Sequence, residues 1–328
     1  MLLVGDIGGT HARLSLVTLQ RRVVRREAFE SRKYVSLEAV AREFLGESQP
    51  RITSAAFGIA GPIVKGRCRA TNLPWVVDAQ ALSRKLRIRR VTLVNDLVAL
   101  SLGAMEVSPR KLHVLGGAGK PKKGANVAVI AAGTGLGEAF LVWDGARFVP
   151  SASEGGHSDY SPRDELEVEL HRFLRARFGH VSWERVLSGD GFGGIYDFFR
   201  QARGIVETSE NTQAIEASPD RNAAISELGL AGKSEPASRA IDLYVSAYGA
   251  EAGNLALKSL AAGGVFVCGN IANRMLTALG RGGFYTAFVD KGRFTAFMER
   301  IPVAVVLDPD VGLAGATRVA LDAATRGH

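Results

Sequence analysis

Two glycine turns about 125 residues apart, Gly5-Asp6-Ile7-Gly8-Gly9-Thr10 and Gly133-Thr134-Gly135-Leu136-Gly137, interrupt apolar runs in the same way. The first lies between Leu2-Leu3-Val4 and the alternating run Ala12 to Val17, the second between Val127 to Ile130 and Glu138 to Val142. Each predicts strand, tight turn, strand. A chain that repeats this grammar, with helix and strand alternating around it, is directed to an α/β fold in which a hairpin occurs twice. Glycines lack a Cβ, so backbone N–H groups can approach phosphate oxygens, and a threonine hydroxyl adds a donor at the same point. Either turn alone also reads as a plain hairpin. Neither is a Walker loop, which needs Gly-Lys-Ser/Thr, nor a dinucleotide fingerprint, whose third glycine position is taken by Glu138.

Between the turns, Ser36 caps a helix through Leu45, Ala55 to Ala60 and Val91 to Val94 read as strands, and Ala79 to Leu86 as a helix ending in basic residues. After the second turn the pattern becomes mostly helical. Ser161-Pro162-Arg163-Asp164-Glu165 predicts an N-cap with proline at the first helical position, and the helix runs to Gly179. Ser218-Pro219-Asp220 repeats the start signal, and Glu235-Pro236 opens a long helix towards Gly263. The polar stretch Gln201 to Lys233 reads as capped helical pieces. Val265 to Cys268 is a short buried strand, Val303 to Leu307 another, and a helix follows from about Asp310 to Ala324.

With 328 residues, 46% of them hydrophobic, the chain can bury a substantial core and is expected to form two domains. Cys68 and Cys268 are too few for a disulfide framework and lack metal-ligand spacing, and no secretory signal is read at the start, so a cytoplasmic location is expected. The longest apolar stretch, Asn126 to Trp143, contains glycines and Glu138 and does not read as a membrane span. The net charge of +8 comes from clusters at Arg21 to Arg26, Arg84 to Arg90 and Lys120 to Lys123, without interleaved aromatics. These read as solvated faces and not as a nucleic-acid surface, and a positive field also favours an anionic substrate such as ATP.

Asn95-Asp96 follows a strand directly, and the carboxyl end of a strand is where open α/β sheets hold ligands. An aspartate there can accept the proton of an attacking hydroxyl, or it can cap a helix beginning at Leu97. Glu154-Gly155-Gly156-His157 brings an acid and an imidazole together across two glycines, a pairing suited to gripping neighbouring hydroxyls. His157 taken singly also reads as an ordinary loop histidine, and Glu184 as a first-turn acid of a helix capped by Ser182. The scattered histidines form no zinc spacing.

The ordered set Gly5 to Arg13, Asn95-Asp96, Gly133 to Gly137, Glu154 to His157, Glu184-Arg185-Val186-Leu187-Ser188-Gly189 and Asp290-Lys291-Gly292-Arg293-Phe294 resembles bacterial glucokinases of the ATP-dependent, hexokinase-like group over nearly the whole chain. The glycine turns fit any actin-like sugar kinase, whereas the last three segments are more specific to this family. The related ROK sugar kinases and repressors carry a cysteine-rich motif that is absent between Cys68 and Cys268.

The resemblance implies an α/β, actin-like (ribonuclease H-like) fold of two domains with a deep cleft, residues 1–105 plus 303–328 forming the smaller and 106–302 the larger. It implies transfer of the γ-phosphoryl of MgATP to the 6-hydroxyl of glucose. Asp96 is then the general base, and Asn95, Glu154, His157 and Glu184 hold the other hydroxyls. Gly5, Ile7, Gly8, Gly9, Thr10, Thr134 and Gly135 lie along the ATP, Gly263, Gly264 and Gly269 flank the adenosine, and Asp6 meets Mg²⁺ through water. His11 and Asn270 depart from the family pattern, standing where asparagine and a second glycine are usual. A homodimer is also implied. The alternatives are a kinase of mannose or fructose, or a sugar-responsive regulator without catalysis; with four residues ahead of Gly5, the DNA-binding segment such regulators carry is not expected.

Overall fold

A computed structural model describes residues 1–46, 50–119, 122 and 124–325, so Lys120 and Lys123 of the lysine cluster lie outside the described residues. The chain divides into two compact units, one of Met1–Lys111, Pro150–Ala152 and Asp308–His328, the other of Leu112–Val149 and Ser153–Leu307. Among the described residues no helix is long and apolar enough to cross a membrane.

In the first unit, β1 (Leu2–Ile7), β2 (His11–Val17), β3 (Val23–Glu30), β4 (Ser54–Ile59) and β8 (Val91–Asn95) form one sheet in the order β3-β2-β1-β4-β8. The hairpin pairs are antiparallel, while β1, β4 and β8 run parallel. Three short strands, β5 (Ile63–Val64), β6 (Arg67–Arg69) and β7 (Val76–Asp78), make a separate antiparallel sheet.

Period-two alternation along β1 sends Leu3, Gly5 and Ile7 to one face and Leu2, Val4 and Asp6 to the other. On the first face, Leu3 and Ile7 are buried with Phe44, Phe57 and Trp75; on the second, Leu2 and Val4 are buried with Leu313, Ala316 and Ala320 of the helix Val311–Thr325. That helix also packs on the helix Asp96–Ala104 at backbone contact. A side chain at Gly103 would strike the Val311 carbonyl, and one at Gly315 the Ala99 carbonyl.

The second unit repeats the plan. Strands β9 (Leu112–Gly116), β10 (Val127–Ala132), β11 (Leu136–Trp143), β12 (Phe148–Ser153), β13 (Gly264–Cys268) and β14 (Val303–Val306) are ordered β12-β11-β10-β13-β14-β9. Again an antiparallel hairpin, β10–β11, is followed by parallel partners, β13 and β14. β14 thus pairs between β13 and β9, so the expectation that Val303 onward completes the smaller domain is corrected: only the terminal helix joins the first unit.

The long helix Glu235–Ser259, capped by Ser234, covers the second unit's core. Two expected helix starts move. Asp164, not Ser161, caps Glu165–Phe178, because Arg163 is tied through its backbone N–H to Glu167 Oε2 at 2.9 Å and holds the chain extended ahead of the helix. Ser182 opens no helix: the amides of Trp183 and Glu184 are already bound to the Ser158 and Gly156 carbonyls, so the helix begins later, at Gly189, under Ser188.

Candidate active site

In the first unit, the turn Gly8–Thr10 is clamped by Ser31, whose hydroxyl donates to the Gly8 carbonyl at 2.8 Å and whose backbone N–H donates to the Thr10 carbonyl at 2.9 Å. The amides of Gly9 and Thr10 make no hydrogen bond among the described residues, which leaves two donors at an exposed turn. Gly9 lies so close to Asn72 that an added Cβ would stand 2.6 Å from the Asn72 Cβ, and Gly5 is packed under Phe57 and Leu14. Gly5 and Ile7 therefore shape the strand from its core face and do not present side chains to a ligand.

Asp6, on the opposite face, pairs with Arg13 at 2.8 Å, its register partner on β2, and abuts Gly312 at the start of the terminal helix. Burial raises its carboxyl pKa above the usual value, and the Arg13 charge opposes that shift.

At the end of β8, Asn95 is the helix cap. Its carbonyl oxygen accepts from Leu97 and Val98 N–H at 3.0 and 3.3 Å, and its amide donates to the Gly61 carbonyl at 3.2 Å. The capping role considered for Asp96 thus falls to its neighbour. Asp96 is the first residue of the helix; its carboxylate accepts from the adjacent Leu97 N–H at 3.0 Å. It lies near Cys68, whose thiol is pushed up by burial and further by the Asp96 charge.

In the second unit, Gly133–Gly135 closes on itself through Gly133 N–H to the Gly135 carbonyl, 2.8 Å, and receives the N-terminus of the helix Gly189–Gln201 through Gly189 N–H to the Gly133 carbonyl, 2.9 Å. Glu184 accepts from Leu136 N–H at 2.9 Å, and a side chain at Gly135 would collide with its carboxylate. Gly133 has open space where a Cβ would point.

The Glu154–His157 loop is held against the same turn, since Gly156 packs on the Leu136 carbonyl and accepts from Glu184 N–H at 2.8 Å. His157 stands between two acids, Nδ1 3.7 Å from Glu184 Oε1 and Nε2 3.9 Å from Glu154 Oε2. These gaps exceed a direct hydrogen bond, and groups so spaced can share hydroxyls placed among them.

The structure therefore gathers Glu154, His157, Glu184, Thr134 and Gly135 around one turn of the second unit, and Asp6, Gly8, Gly9 and Thr10 around the corresponding turn of the first. Gly269, with φ of 96°, leaves β13 against the Ala132 carbonyl at the mouth of that second turn. Gly263 and Gly264 stand apart from that turn. Gly264 begins β13 as the register partner of Val127, at the other end of the strand from Gly269, with a φ of 129°, and Gly263 just before it is so tightly packed that a Cβ would meet the Ala125 and Asn126 carbonyls.

Ser31, Gly61 and Asn72 were not foreseen. Ser31 acts through its hydroxyl and amide on backbone carbonyls, Gly61 through its carbonyl and Asn72 as a packing surface, and such long-range contacts carry no spacing signal.

The chain matches the family model described as Glucokinase over residues 3–323. It is 37% identical to the glucokinase of Nostoc punctiforme, across 96% of this chain and 97% of that one. Its fold is similar to the crystal structure of a glucokinase from an Antarctic psychrotroph, with a TM-score of 0.84 at 30% identity over 98% of both chains. A ROK-family glucokinase from Streptomyces griseus, solved with glucose and AMPPNP, shares the fold at a TM-score of 0.65 and 19% identity, over 98% of this chain and 99% of that one. The shared architecture is the actin-like ATPase fold.

Proposed function

The chain belongs to the glucokinase family and is an ATP-dependent kinase of glucose, and from that premise we propose which of its residues perform the transfer. Asp96 orients the 6-hydroxyl and accepts its proton as that oxygen bonds to the γ-phosphorus and the bond to ADP breaks. The transition state is loose, so the proton moves late and positioning supplies most of the acceleration. The position of Asp96 as the first residue after β8, at the carboxyl end of a parallel strand where open α/β sheets hold ligands, supports this role. Asn95 keeps a second amide proton for the sugar.

Glu154, His157 and Glu184 hold the remaining hydroxyls. A single observation carries this reading: the Glu184 carboxylate is bonded to the Leu136 N–H at the exit of the second glycine turn and at the same time faces the imidazole of the Glu154–His157 loop. One acid is thereby tied both to a phosphate-type turn and to a hydroxyl-type loop.

The phosphates of ATP are met by the unbonded amides of Gly9 and Thr10 and by the Thr134–Gly135 turn, with Gly269 beside it. Gly263 and Gly264 are left out of this contact. Mg²⁺ fits Asp6 as a water-mediated partner, because one carboxylate already paired with Arg13 suits an ion that keeps its waters and takes its other ligands from phosphate. When bound, the ion neutralises charge on the transferring group.

A cytoplasmic homodimer is proposed as well. Two free, buried cysteines support a reducing compartment, and the family resemblance is the support for the dimer; light scattering at twice the chain mass tests it. An ADP-release assay with MgATP against glucose, mannose, fructose and galactose tests the activity. Glucose is expected to be favoured over its epimers, since each mispaired hydroxyl leaves a polar group unsatisfied. ADP release independent of sugar, or none with any hexose, overturns the assignment.

A further inference from the structure

β11 places an acid where its pattern calls for an apolar residue. Glu138 is the register partner of Ile130, so it shares the face of Ala128, Ile130, Ala132 and Leu136 that the second unit's core covers. Its side chain is 1% exposed, and Oε1 is buried with no hydrogen-bond partner among the described residues. Over it, on the helix Glu235–Ser259, stands Glu251, which is fully buried and within hydrogen-bonding reach. Two carboxylates cannot bond to each other unless one keeps a proton.

The neighbouring groups do not supply enough positive charge to hold both as anions. Asn254 donates to Glu251 at 2.8 Å, and Lys258 approaches Glu251 at 3.5 Å from a largely solvated position. Lys291 faces Glu251 while its ammonium donates to the Ala250 carbonyl at 3.1 Å, and Tyr248, on the helix that carries Glu251, faces Glu138 while its hydroxyl oxygen accepts from the Ala132 N–H at 3.1 Å. The other oxygen of Glu138 lies against Gly155, so closely that any side chain there would collide with it. Gly155 is the second residue of the loop that carries Glu154 and His157, and its own N–H is taken by Ser153 at 2.9 Å.

We propose that Glu138 and Glu251 share one buried proton, and that this acid pair is a positioning element for the sugar loop: with the proton in place Glu138 props Gly155, and through it Glu154 and His157, in the geometry that binds the hexose. The inference rests on the reading of Glu154 and His157 as sugar ligands. Burial first, and the Glu251 charge second, push the Glu138 carboxyl up to about 8, so the prop holds at neutral pH and fails in mildly alkaline solution. Once both acids are charged they must separate or admit water, and Gly155 is the flexible backbone on which Glu138 presses.

Glucose binding measured by calorimetry from about pH 6 to about pH 9.5 tests this, and a wild-type Kd that rises about tenfold per pH unit above an alkaline inflection is expected. Glu138→Gln, which keeps the shape and cannot ionise, is expected to remove that rise. Glu251→Gln, which removes the like charge, shifts the inflection to lower pH. An infrared band of a protonated carboxylic acid at neutral pH, absent in Glu138→Gln, reports the shared proton independently of sugar. A flat wild-type profile, or an inflection unmoved in both variants, overturns the proposal. Failure of the wild type to bind glucose at every pH overturns the sugar-site reading and the positioning role with it, and the infrared band distinguishes that case from the absence of a shared proton.

Discussion

Glu184 Oε2 accepts a hydrogen bond from the backbone N–H of Leu136 at 2.9 Å, which fastens an acid from a distant turn to the exit of the second glycine hairpin. Glu184→Ala leaves that N–H unpaired and frees the turn, a loss of about 1–3 kcal/mol. The expected result is a fall in kcat/KM of roughly tenfold to a hundredfold, with KM rising for both substrates. Glu184→Gln keeps an acceptor for Leu136 but not the charge facing His157, so KM for ATP should recover while KM for glucose stays high. Steady-state kinetics with each substrate varied separates the two effects.

Asp96→Asn is isosteric and cannot take a proton. Turnover should drop by about 10²- to 10⁴-fold, the usual contribution of a positioned base, while calorimetric glucose affinity stays near that of the wild type. Turnover close to wild type would remove Asp96 from the base role.

Gly133 has nothing within reach of an added Cβ, so Gly133→Ala should leave the melting temperature almost unchanged. If phosphate oxygens approach the turn, the methyl group meets them, and KM for ATP is expected to rise several-fold with KM for glucose unaltered. An unaffected KM for ATP argues that the phosphates pass elsewhere.

The Glu138 carboxyl is raised in the folded state from 4.5 to about 8. The folded protein then binds more protons than the unfolded chain between these values, so this group's contribution to stability is fully present below about 4.5 and is lost as pH rises to about 8. Glu138→Gln should flatten that decline and exceed the wild type at pH 8 by on the order of a few kcal/mol. Urea unfolding at a series of pH values measures it; parallel curves for the two proteins would contradict the shift.

Gly315→Ala drives a methyl group into the Ala99 carbonyl where two helices meet backbone to backbone. Overpacking of this kind costs about 1–3 kcal/mol or more. A clear drop in melting temperature is expected, whereas Gly194→Ala, on a helix with an ordinary 3.4 Å contact to Leu174, should be neutral or stabilising.

Much of this molecule is local in origin and legible from residue order. Gly8-Gly9 and Gly133 to Gly135 between apolar runs specify hairpins, because short-range backbone freedom and period-two alternation are encoded within a few residues. Asp78, Ser36 and Ser234 cap their helices through side chains that reach only three residues along, and Asn95 caps one by reaching two and three. The Glu154–His157 loop was visible as an acid and an imidazole across two glycines.

What local order could not convey is which long-range partner takes each backbone group. Trp183 and Glu184 could have started a helix under Ser182, yet their amides are claimed by the Ser158 and Gly156 carbonyls, and the helix is displaced to Gly189. Val303–Val306 could have closed the first unit, yet its ladder is completed by β13 and β9. Glu138 looked like an interruption in an apolar strand, and only the helix carrying Glu251 turns it into half of a buried acid pair. Residue order specified the turns, the caps and the chemical types at the site, since these depend on neighbours along the chain. Tertiary packing decided which acids meet, which are buried and which loop they support, since desolvation and hydrogen-bond competition depend on neighbours in space.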